Sequence, residues 1–325
     1  MSAETVPQTE EPDQAGSPMT LTADRPADRP ADRPAAGAAT AGRPAKVRRR
    51  GRSSPLASVL AHGTLIAASL VALFPVLYIA YISLGPDDND YLHPAKIFDK
   101  MTFANYGKVM GDTGFFTWFG NSAIVAGGTT LVGVLIAAST GYAVSRMRFP
   151  GYRQLMWTLL VTQMFPIAVL IVPMYYILSN LGLLDSYSGL IMVYSATTVP
   201  YCAWLLKGYF DTIPMEIDEA GRVDGLSPIG TFWRLILPLA RPGLAVAAFY
   251  SFLTAWGEVA YASTFMLSSD KYTLAVGLSS FVSEHDHQWQ LMAATSVLIA
   301  IPAAVVFYLV QRHLVTGLTA GAAKS

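Results

Sequence analysis

Six long apolar stretches constrain this chain more than any other feature. A helix needs about 20 residues to cross the hydrocarbon core of a bilayer, and all but the fourth stretch reach that length. Because a segment in lipid must satisfy its own backbone hydrogen bonds, each stretch is predicted to be a helix. The chain is therefore expected to be an all-α integral membrane protein, a six-transmembrane-helix bundle. The stretches lie near Leu56–Leu84, Asn121–Val144, Leu155–Leu178, Gly189–Leu206, Leu244–Leu267 and Leu291–Val310.

The composition agrees with a membrane protein. Hydrophobic residues make up 53% of the chain and charged residues 14%, against about 25% charged residues in soluble domains. The first apolar stretch follows basic residues, as in a signal peptide, but it is longer than the 7–15 residues typical of a signal-peptide core, which predicts a membrane anchor. The single cysteine, Cys202, excludes an intrachain disulfide and a cysteine-based metal cluster.

Residues 1–54 differ from the rest of the chain. They are rich in Pro, Ala, Asp and Arg, and Ala23–Pro34 repeats Ala-Asp-Arg-Pro three times. Such a segment buries too little apolar surface to offset the entropy lost on ordering, so it is predicted to be a disordered tail. The predicted organisation is this tail followed by a membrane domain at 55–325.

Basic residues predict the orientation. If the N-terminus is inside, the internal segments carry 15 Lys and Arg and the external loops four, namely Lys96, Lys100, Lys108 and Lys271. By the positive-inside rule, both termini are expected in the cytoplasm. The same rule places the longest internal loop, at about 207–243, on the cytoplasmic face.

The local chemistry of this loop predicts a helix, a tight turn and a second helix. Pro214 suits a first helical turn, and Gly225 suits the left-handed conformation that ends a helix. Ser227 followed by Pro228 is typical of an N-cap and a first helical residue, and Pro238 is expected to bound the second helix. The early turns of the first helix carry negative charge that the helix dipole favours: Glu216, Asp218 and Glu219.

The spacing within this loop resembles the EAA signature of ABC-importer permeases, which reads Glu-Ala-Ala, three residues, Gly, nine residues, Ile, one residue, Leu-Pro. Gly221 stands for the second alanine and Leu235 for the isoleucine. Glycine would weaken the first helix by about 1 kcal/mol relative to alanine, which leaves its packing role open. The resemblance implies ATPase coupling by Glu219, Ala220, Gly221, Asp224, Gly225, Leu235, Leu237 and Pro238.

The resemblance extends from about residue 55 onward and is closest to MalG-type permeases of maltose and maltodextrin importers. Residues 271–277 and 311–321 look like the corresponding stretches of that subunit. It implies a MetI/MalG-like type I permease fold without catalytic activity and a carbohydrate substrate. The partners it implies are a MalF-like second permease, two ATPase subunits and an extracytoplasmic sugar-binding protein.

The resemblance also implies a mechanism. The loop would sit in a cleft of the ATPase, where Glu219 would pair with a basic residue and Gly225 would allow the sharp turn. The C-terminal tail at Thr316–Ser325 would reach toward the ATPases, unless it is a frayed terminus. Because the sequence contains no P-loop, ATP and Mg²⁺ are expected on the partner, and no cofactor, metal or nucleic acid is expected on this chain.

Glu258 is the one Asp, Glu, Lys or Arg well inside a predicted span. An intramembrane carboxylate is a candidate functional group, so Glu258 is predicted to line the translocation path. A structural, hydrogen-bonded glutamate and a proton relay are the alternatives.

The external loop Ser268–Gln290 carries three aromatic residues, Tyr272, Phe281 and Trp289. They are predicted either to contact the sugar-binding protein, by resemblance, or to anchor the chain at the membrane surface. The acidic and histidine-containing runs Asp87–Asp90 and Glu284–His287 are expected to be solvated loops, and His62 a packed or interfacial residue.

Two other classes of protein stay open from the residues alone. An ion-driven secondary carrier would need paired intramembrane charges and repeated halves, whereas Glu258 stands by itself. An integral membrane lipid or prenyl transferase would need a second catalytic cluster beside Asp87–Asp90, and the sequence offers none.

Overall fold

The structure, a computed structural model, describes residues 55–86, 98, 100–147, 149–281 and 288–322, with side chains from Leu56 to Leu314. The predictions for the tail at 1–54, for Asp87–Asp90 and for Glu284–His287 lie outside these residues. The chain divides into two compact units, Met1–Ser58 and Val59–Ser325. Of the first unit, the description covers only the opening residues of helix α1.

Every regular element in the described ranges is helical, which confirms the predicted all-α fold. The α-helices are α1 Pro55–Ser83, α2 Ala104–Asp112, α3 Phe115–Arg146, α4 Tyr152–Thr162, α5 Ile167–Asn180, α6 Tyr187–Phe210, α7 Glu216–Val223, α8 Pro228–Thr231, α9 Leu237–Leu239, α10 Arg241–Gly257, α11 Ala260–Phe265, α12 Leu274–Ser279 and α13 Trp289–Ala322. A π-helix at Phe232–Ile236 joins α8 to α9, and a 3₁₀ turn covers Ser269–Lys271.

Four of the described helices, α1, α3, α6 and α13, are long and apolar enough to cross a bilayer. The number rises to six if each of two sharply bent helix pairs is one span. Helix α6 has 24 residues and extends beyond the fourth apolar stretch at both ends. Its N-terminus is capped by Ser186, whose hydroxyl accepts a hydrogen bond from Gly189 N–H at 3.1 Å.

The third apolar stretch does not form the continuous helix that was expected. Helices α4 and α5 are separated by four residues and meet at an angle of 106°. The break ends at Pro166, whose backbone is extended (φ −61°, ψ 136°). Proline has no N–H for the helical ladder, and its ring disfavours helical backbone in the residue before it.

The fifth apolar stretch is also interrupted. Helix α10 ends at Gly257, Glu258 adopts extended backbone (φ −77°, ψ 133°), and α11 begins at Ala260. The backbone N–H groups of Tyr261 and Ala262 donate to the Glu258 carboxyl group at 2.9 and 3.2 Å. The glutamate side chain therefore satisfies N–H groups that the break leaves without helical partners.

Helices α3 and α6 pack along each other, and α10 packs against both. Gly141 allows this approach, because a Cβ atom there would lie 3.0 Å from the Ala203 carbonyl oxygen. Two buried clusters form the core, one around Leu190, Tyr194 and Phe265, the other around Leu206, Phe210 and Ile236. The clusters lie toward opposite ends of α6, which is about 36 Å long at 1.5 Å per residue.

Candidate coupling hairpin and membrane cavity

The segment Glu216–Leu239, here called the hairpin, lies after the C-terminal end of α6. Its first helix, α7, ends in a Schellman motif at Gly225 (φ +79°). Gly225 N–H donates to the Arg222 carbonyl at 3.0 Å and Leu226 N–H to the Gly221 carbonyl at 2.8 Å. The predicted glycine turn is therefore present.

The second half of the hairpin begins as predicted and ends later than predicted. Ser227 caps α8 by accepting from Gly230 N–H at 3.1 Å, and Pro228 is the first helical residue. The expectation that Pro238 bounds this helix is wrong. A π-helical turn, in which Leu237 N–H donates to Phe232 O, brings Pro238 into the first turn of α9, where its missing N–H is tolerated. The chain then bends by 83° between Leu239 and Arg241.

A buried ion pair, which the sequence reasoning missed, fastens the hairpin to α3. Asp218 Oδ2 lies 2.9 Å from Arg146 Nε, and both side chains are at most 6% exposed. The Tyr142 hydroxyl donates to Asp218 Oδ1 at 2.8 Å, and Arg146 Nη2 donates to the Ile213 carbonyl at 2.9 Å. The sequence offered no local signal for this contact, because Arg146 and Asp218 are 72 positions apart.

Gly221 packs directly against the second half of the hairpin. It is buried, and a Cβ atom at this position would lie 2.8 Å from Thr231 Oγ1 and 3.0 Å from Leu235 Cδ1. The packing role that the sequence left open is therefore close contact between α7 and the segment after Pro228. Glycine at this signature position lets the two halves approach more closely than alanine would.

The opposite face of the hairpin is exposed. Among the residues expected to couple to an ATPase, Glu219, Ala220, Asp224, Gly225 and Pro238 are exposed, and Leu235 and Leu237 are half-buried. Apolar side chains surround them, with Val223 88% and Ile229 72% exposed. Large exposed apolar patches mark interaction sites. The exposed apolar residues of the hairpin and its flank are Met215, Val223, Ile229, Trp233 and Leu239.

Glu258 lies at a cavity of about 600 Å³. Its Oε2 accepts a hydrogen bond from the Tyr194 hydroxyl at 2.6 Å, in addition to the two backbone N–H donors of α11. The carboxyl group therefore both supports the break and lines the cavity. The role of Glu258 on a translocation path stays a prediction. The alternative role, a structural glutamate held by hydrogen bonds, agrees with the same contacts.

The loop Ser268–Gln290 contains a buried helix in its described part. Helix α12 is buried from Leu274 to Gly277, and Leu274 N–H donates to Ser122 Oγ at 2.7 Å. Asn121 Nδ2 donates to the Tyr272 carbonyl at 2.9 Å. The described part of this loop therefore folds back onto α3.

The three aromatic residues of this loop differ in exposure. Phe281 is 7% exposed and packs edge-on against Trp118, with ring centroids 6.3 Å apart. The expectation that Phe281 contacts a binding protein or the membrane surface is therefore corrected, because its ring is part of the core. Tyr272 and Trp289 are half-buried, and Trp289 borders a cavity of about 350 Å³ beside α1.

The loops at this end of α6 are joined through Asp185. This residue has a left-handed backbone (φ +52°), and its carboxylate accepts from Ser268 Oγ at 2.6 Å and from Lys271 Nζ at 3.1 Å. The Ser268 hydrogen bonds hold the pKa of Asp185 well below its usual range, against a smaller opposing effect of burial. These contacts of Asp185 with Ser268 and Lys271, here called the Asp185 clasp, hold the loop before α6 against the loop after α11.

A family model described as binding-protein-dependent transport system inner membrane component matches residues 129–319. This range contains the hairpin, the cavity and four of the six apolar stretches. The chain belongs to this family. Its members are membrane components of ABC importers, which work with an ATPase and a binding protein, so this chain is a transport subunit and the catalytic activity resides on a partner.

Curated relatives cover most of the permease. The chain is 34% identical over 257 residues to the maltodextrin transport system permease protein MdxG of Bacillus subtilis, which covers 79% of this chain and 92% of that protein. It is 34% identical over 292 residues to the maltose/maltodextrin transport system permease protein MalG of Salmonella typhimurium, covering 84% and 98%.

A solved structure has the same fold. It is a bacterial ABC transporter involved in the import of the acidic polysaccharide alginate, with a TM-score of 0.68 and 23% identity over 81% of this chain and 98% of that chain. The comparisons support the permease interpretation. They support neither the ion-driven carrier nor the lipid or prenyl transferase.

Proposed function

We propose that this permease forms half of the translocation pathway of an ABC importer for oligosaccharides of the maltodextrin kind. Its partners are a second, MalF-like permease, two ATPase subunits that bind ATP and Mg²⁺, and an extracytoplasmic sugar-binding protein. Residues 1–54 form a cytoplasmic tail, 55–325 form the membrane domain, and both termini are cytoplasmic. The names of the relatives support the substrate class, and the distribution of basic residues supports the orientation.

The exposed face of the hairpin is the observation that carries the coupling mechanism. One side of α7 is fixed to α3 through Asp218 and Arg146, and the other presents Glu219 beside exposed Val223 and Ile229. An ATPase that binds this face therefore pulls on a helix that crosses the membrane. Closure of the two ATPases on ATP moves the hairpin and changes the bundle from inward-open to outward-open.

The opposite end of the permease receives the solute from the binding protein. Tyr272 and Trp289, the two half-buried aromatic residues of the loop after α11, are the candidates for this contact. Glu258 lines the path between this end and the hairpin. The Asp185 clasp supports this role of Tyr272, because it fixes the loop that carries Tyr272 to the loop before α6.

The test is charge reversal on the hairpin. Glu219→Lys should abolish ATP-driven uptake of labelled maltotriose by proteoliposomes that contain the complete transporter, with membrane insertion unchanged. Gly225→Pro should do the same, because proline cannot adopt φ +79°. Asp112→Lys, which reverses the charge of an exposed aspartate at the end of α2, is the matched control and should retain uptake. Normal uptake in the Glu219→Lys transporter would refute the coupling mechanism.

A further inference from the structure

The two interrupted helices open onto one cavity. The break after α4 contributes Gln163 and Phe165 to its lining, and the break after α10 contributes Glu258. Non-helical backbone at membrane depth is tolerated where it is covered by protein or lines a water-filled space. The cavity, at about 600 Å³, falls within the range of about 300–1,000 Å³ typical of small-molecule sites.

Glu258 is held rigidly at this cavity and keeps capacity for a further hydrogen bond. A carboxylate has about four acceptor positions. Tyr194, Tyr261 and Ala262 donate to three of them, which leaves one position on Oε1. Tyr261, itself 1% exposed, lines the same cavity, and its hydroxyl has no hydrogen-bond partner among the described residues.

The remaining polar lining is neutral. Gln163 lies at the break after α4, where its Nε2 donates to the Thr197 carbonyl at 3.0 Å. Helix α10 contributes Tyr250 and Thr254 to the lining. Tyr250 packs its ring on Tyr201, with centroids 4.3 Å apart. The aromatic faces suit the apolar C–H face of a sugar ring, while the amide and hydroxyl groups suit its hydroxyls.

The charged groups that line the cavity limit the chemical class of solute that can bind there. The residues that line the cavity include one carboxyl group and no Lys, Arg or His. A carboxylate or sulfonate on the solute would meet the acceptor oxygens of Glu258, with no Lys, Arg or His among the lining residues to compensate its charge, and burying an uncompensated anion is costly. Neutral hydroxyls meet no such barrier.

We propose that this cavity is a carbohydrate-binding subsite within the permease, with Glu258 as hydrogen-bond acceptor, and that it selects neutral over acidic oligosaccharides. This inference rests on the proposed function, because it assumes that carbohydrate passes through this chain. It adds a selection step after the binding protein has released its solute.

The test measures binding to the assembled transporter in detergent without its binding protein, by saturation-transfer NMR with maltotriose as the neutral probe and trigalacturonic acid as the acidic probe. Wild type should bind maltotriose saturably and trigalacturonic acid at least about tenfold more weakly, the change in affinity that about 1.4 kcal/mol of unfavourable free energy produces. Gln163→Lys places a cation in the cavity and should recover most of that loss for the acidic probe, so that the ratio of the maltotriose affinity to the trigalacturonic acid affinity falls toward one.

Gln154→Lys is the matched control, since Gln154 is an exposed glutamine of α4 that does not line the cavity, and it should change neither affinity. The inference is overturned if wild type binds both probes equally or binds neither, if Gln163→Lys leaves the discrimination unchanged, or if Gln154→Lys reproduces its effect. Uptake of maltotriose in proteoliposomes with binding protein and ATP is measured in parallel. Normal uptake with failed binding would refute only the subsite, whereas absent uptake would refute the proposed function.

Discussion

At the residue scale, the Asp218–Arg146 ion pair is what ties the hairpin to the membrane helices. Both groups are almost fully buried, so each depends on the other to avoid an uncompensated charge. Removing one partner of a buried pair typically destabilises a protein by about 3–5 kcal/mol, while replacing both with apolar residues is often neutral. The pair therefore offers a way to separate stability from coupling.

The prediction is that Arg146→Met and Asp218→Leu each lower the thermal stability of the purified transporter, and that the double variant recovers most of the loss. Coupling should not recover in the double variant, because Tyr142 and Ile213 lose the polar groups that orient α7. Unfolding temperature and maltotriose-stimulated ATP hydrolysis measure the two effects.

The partly exposed pair Lys207–Asp211 is the matched control. Removal of Lys207 should change stability by less than about 1 kcal/mol, as is typical of surface ion pairs. Equal effects of the two ion pairs, or full recovery of coupled ATP hydrolysis in the double variant, would contradict the proposed role of Asp218.

At the scale of elements, the close contact of Gly221 with Thr231 sets the distance between the two halves of the hairpin. Gly221→Ala should gain up to about 1 kcal/mol in helix propensity and lose more through the contact of the new Cβ with Thr231 Oγ1, 2.8 Å away. Thr231→Ala removes that obstacle, so the double variant should be more stable than the sum of the single changes implies. A double-mutant cycle of unfolding free energies measures this coupling, and strict additivity would contradict it.

The local chemistry of the hairpin was readable from the sequence, whereas its tertiary contacts were not. Gly225, Ser227 and Pro228 act through atoms within a few residues, so their turn and cap followed from residue type. The buried position of Asp218 depends on Arg146, 72 positions earlier in the chain. No local pattern encodes such a contact.

The same distinction applies to the membrane helices. Hydropathy located the apolar stretches, because bilayer thickness alone sets their length. It missed the breaks at Pro166 and Glu258, since one or two polar residues or a single proline barely lower the mean hydropathy of a long apolar segment. Phe281 was misassigned for a related reason, because its burial depends on α12 folding back onto α3.

The Asp185 clasp gives a pH dependence at this scale. The pKa of Asp185 in the folded protein lies below the unfolded value of about 3.9. The clasp therefore contributes fully above that pH, and its contribution is lost as the pH falls toward the lower folded pKa. The stability difference between wild type and Asp185→Asn in detergent should be constant from about pH 8 to 5 and shrink below about pH 4.

Asp112→Asn, at an exposed aspartate of α2, is the control and should show little difference from wild type at any of these pH values. If the stability difference between wild type and Asp185→Asn grows on acidification, or disappears between pH 8 and 5, folding does not lower the pKa of Asp185 and the prediction is wrong.

At the scale of the whole membrane unit, α3 and α6 connect two functional ends. Tyr142 of α3 meets the hairpin, while Asn121 of the same helix holds the loop that follows α11. On the proposed mechanism, movement of the hairpin would be transmitted through these packed helices to the end of the bundle that carries this loop. The breaks at Pro166 and Glu258 lie between these ends, beside the cavity.

The most direct test of the central claim is site-specific photo-crosslinking in cells that express the complete transporter. A photoreactive amino acid replaces Val223 on the exposed face of the hairpin, and in a separate variant it replaces Leu267, an exposed apolar residue beyond α11. The account predicts a crosslink from position 223 to the ATPase subunit and none to the ATPase from position 267. A crosslink to the ATPase from position 267, or none from position 223 in an assembled and active transporter, would contradict it.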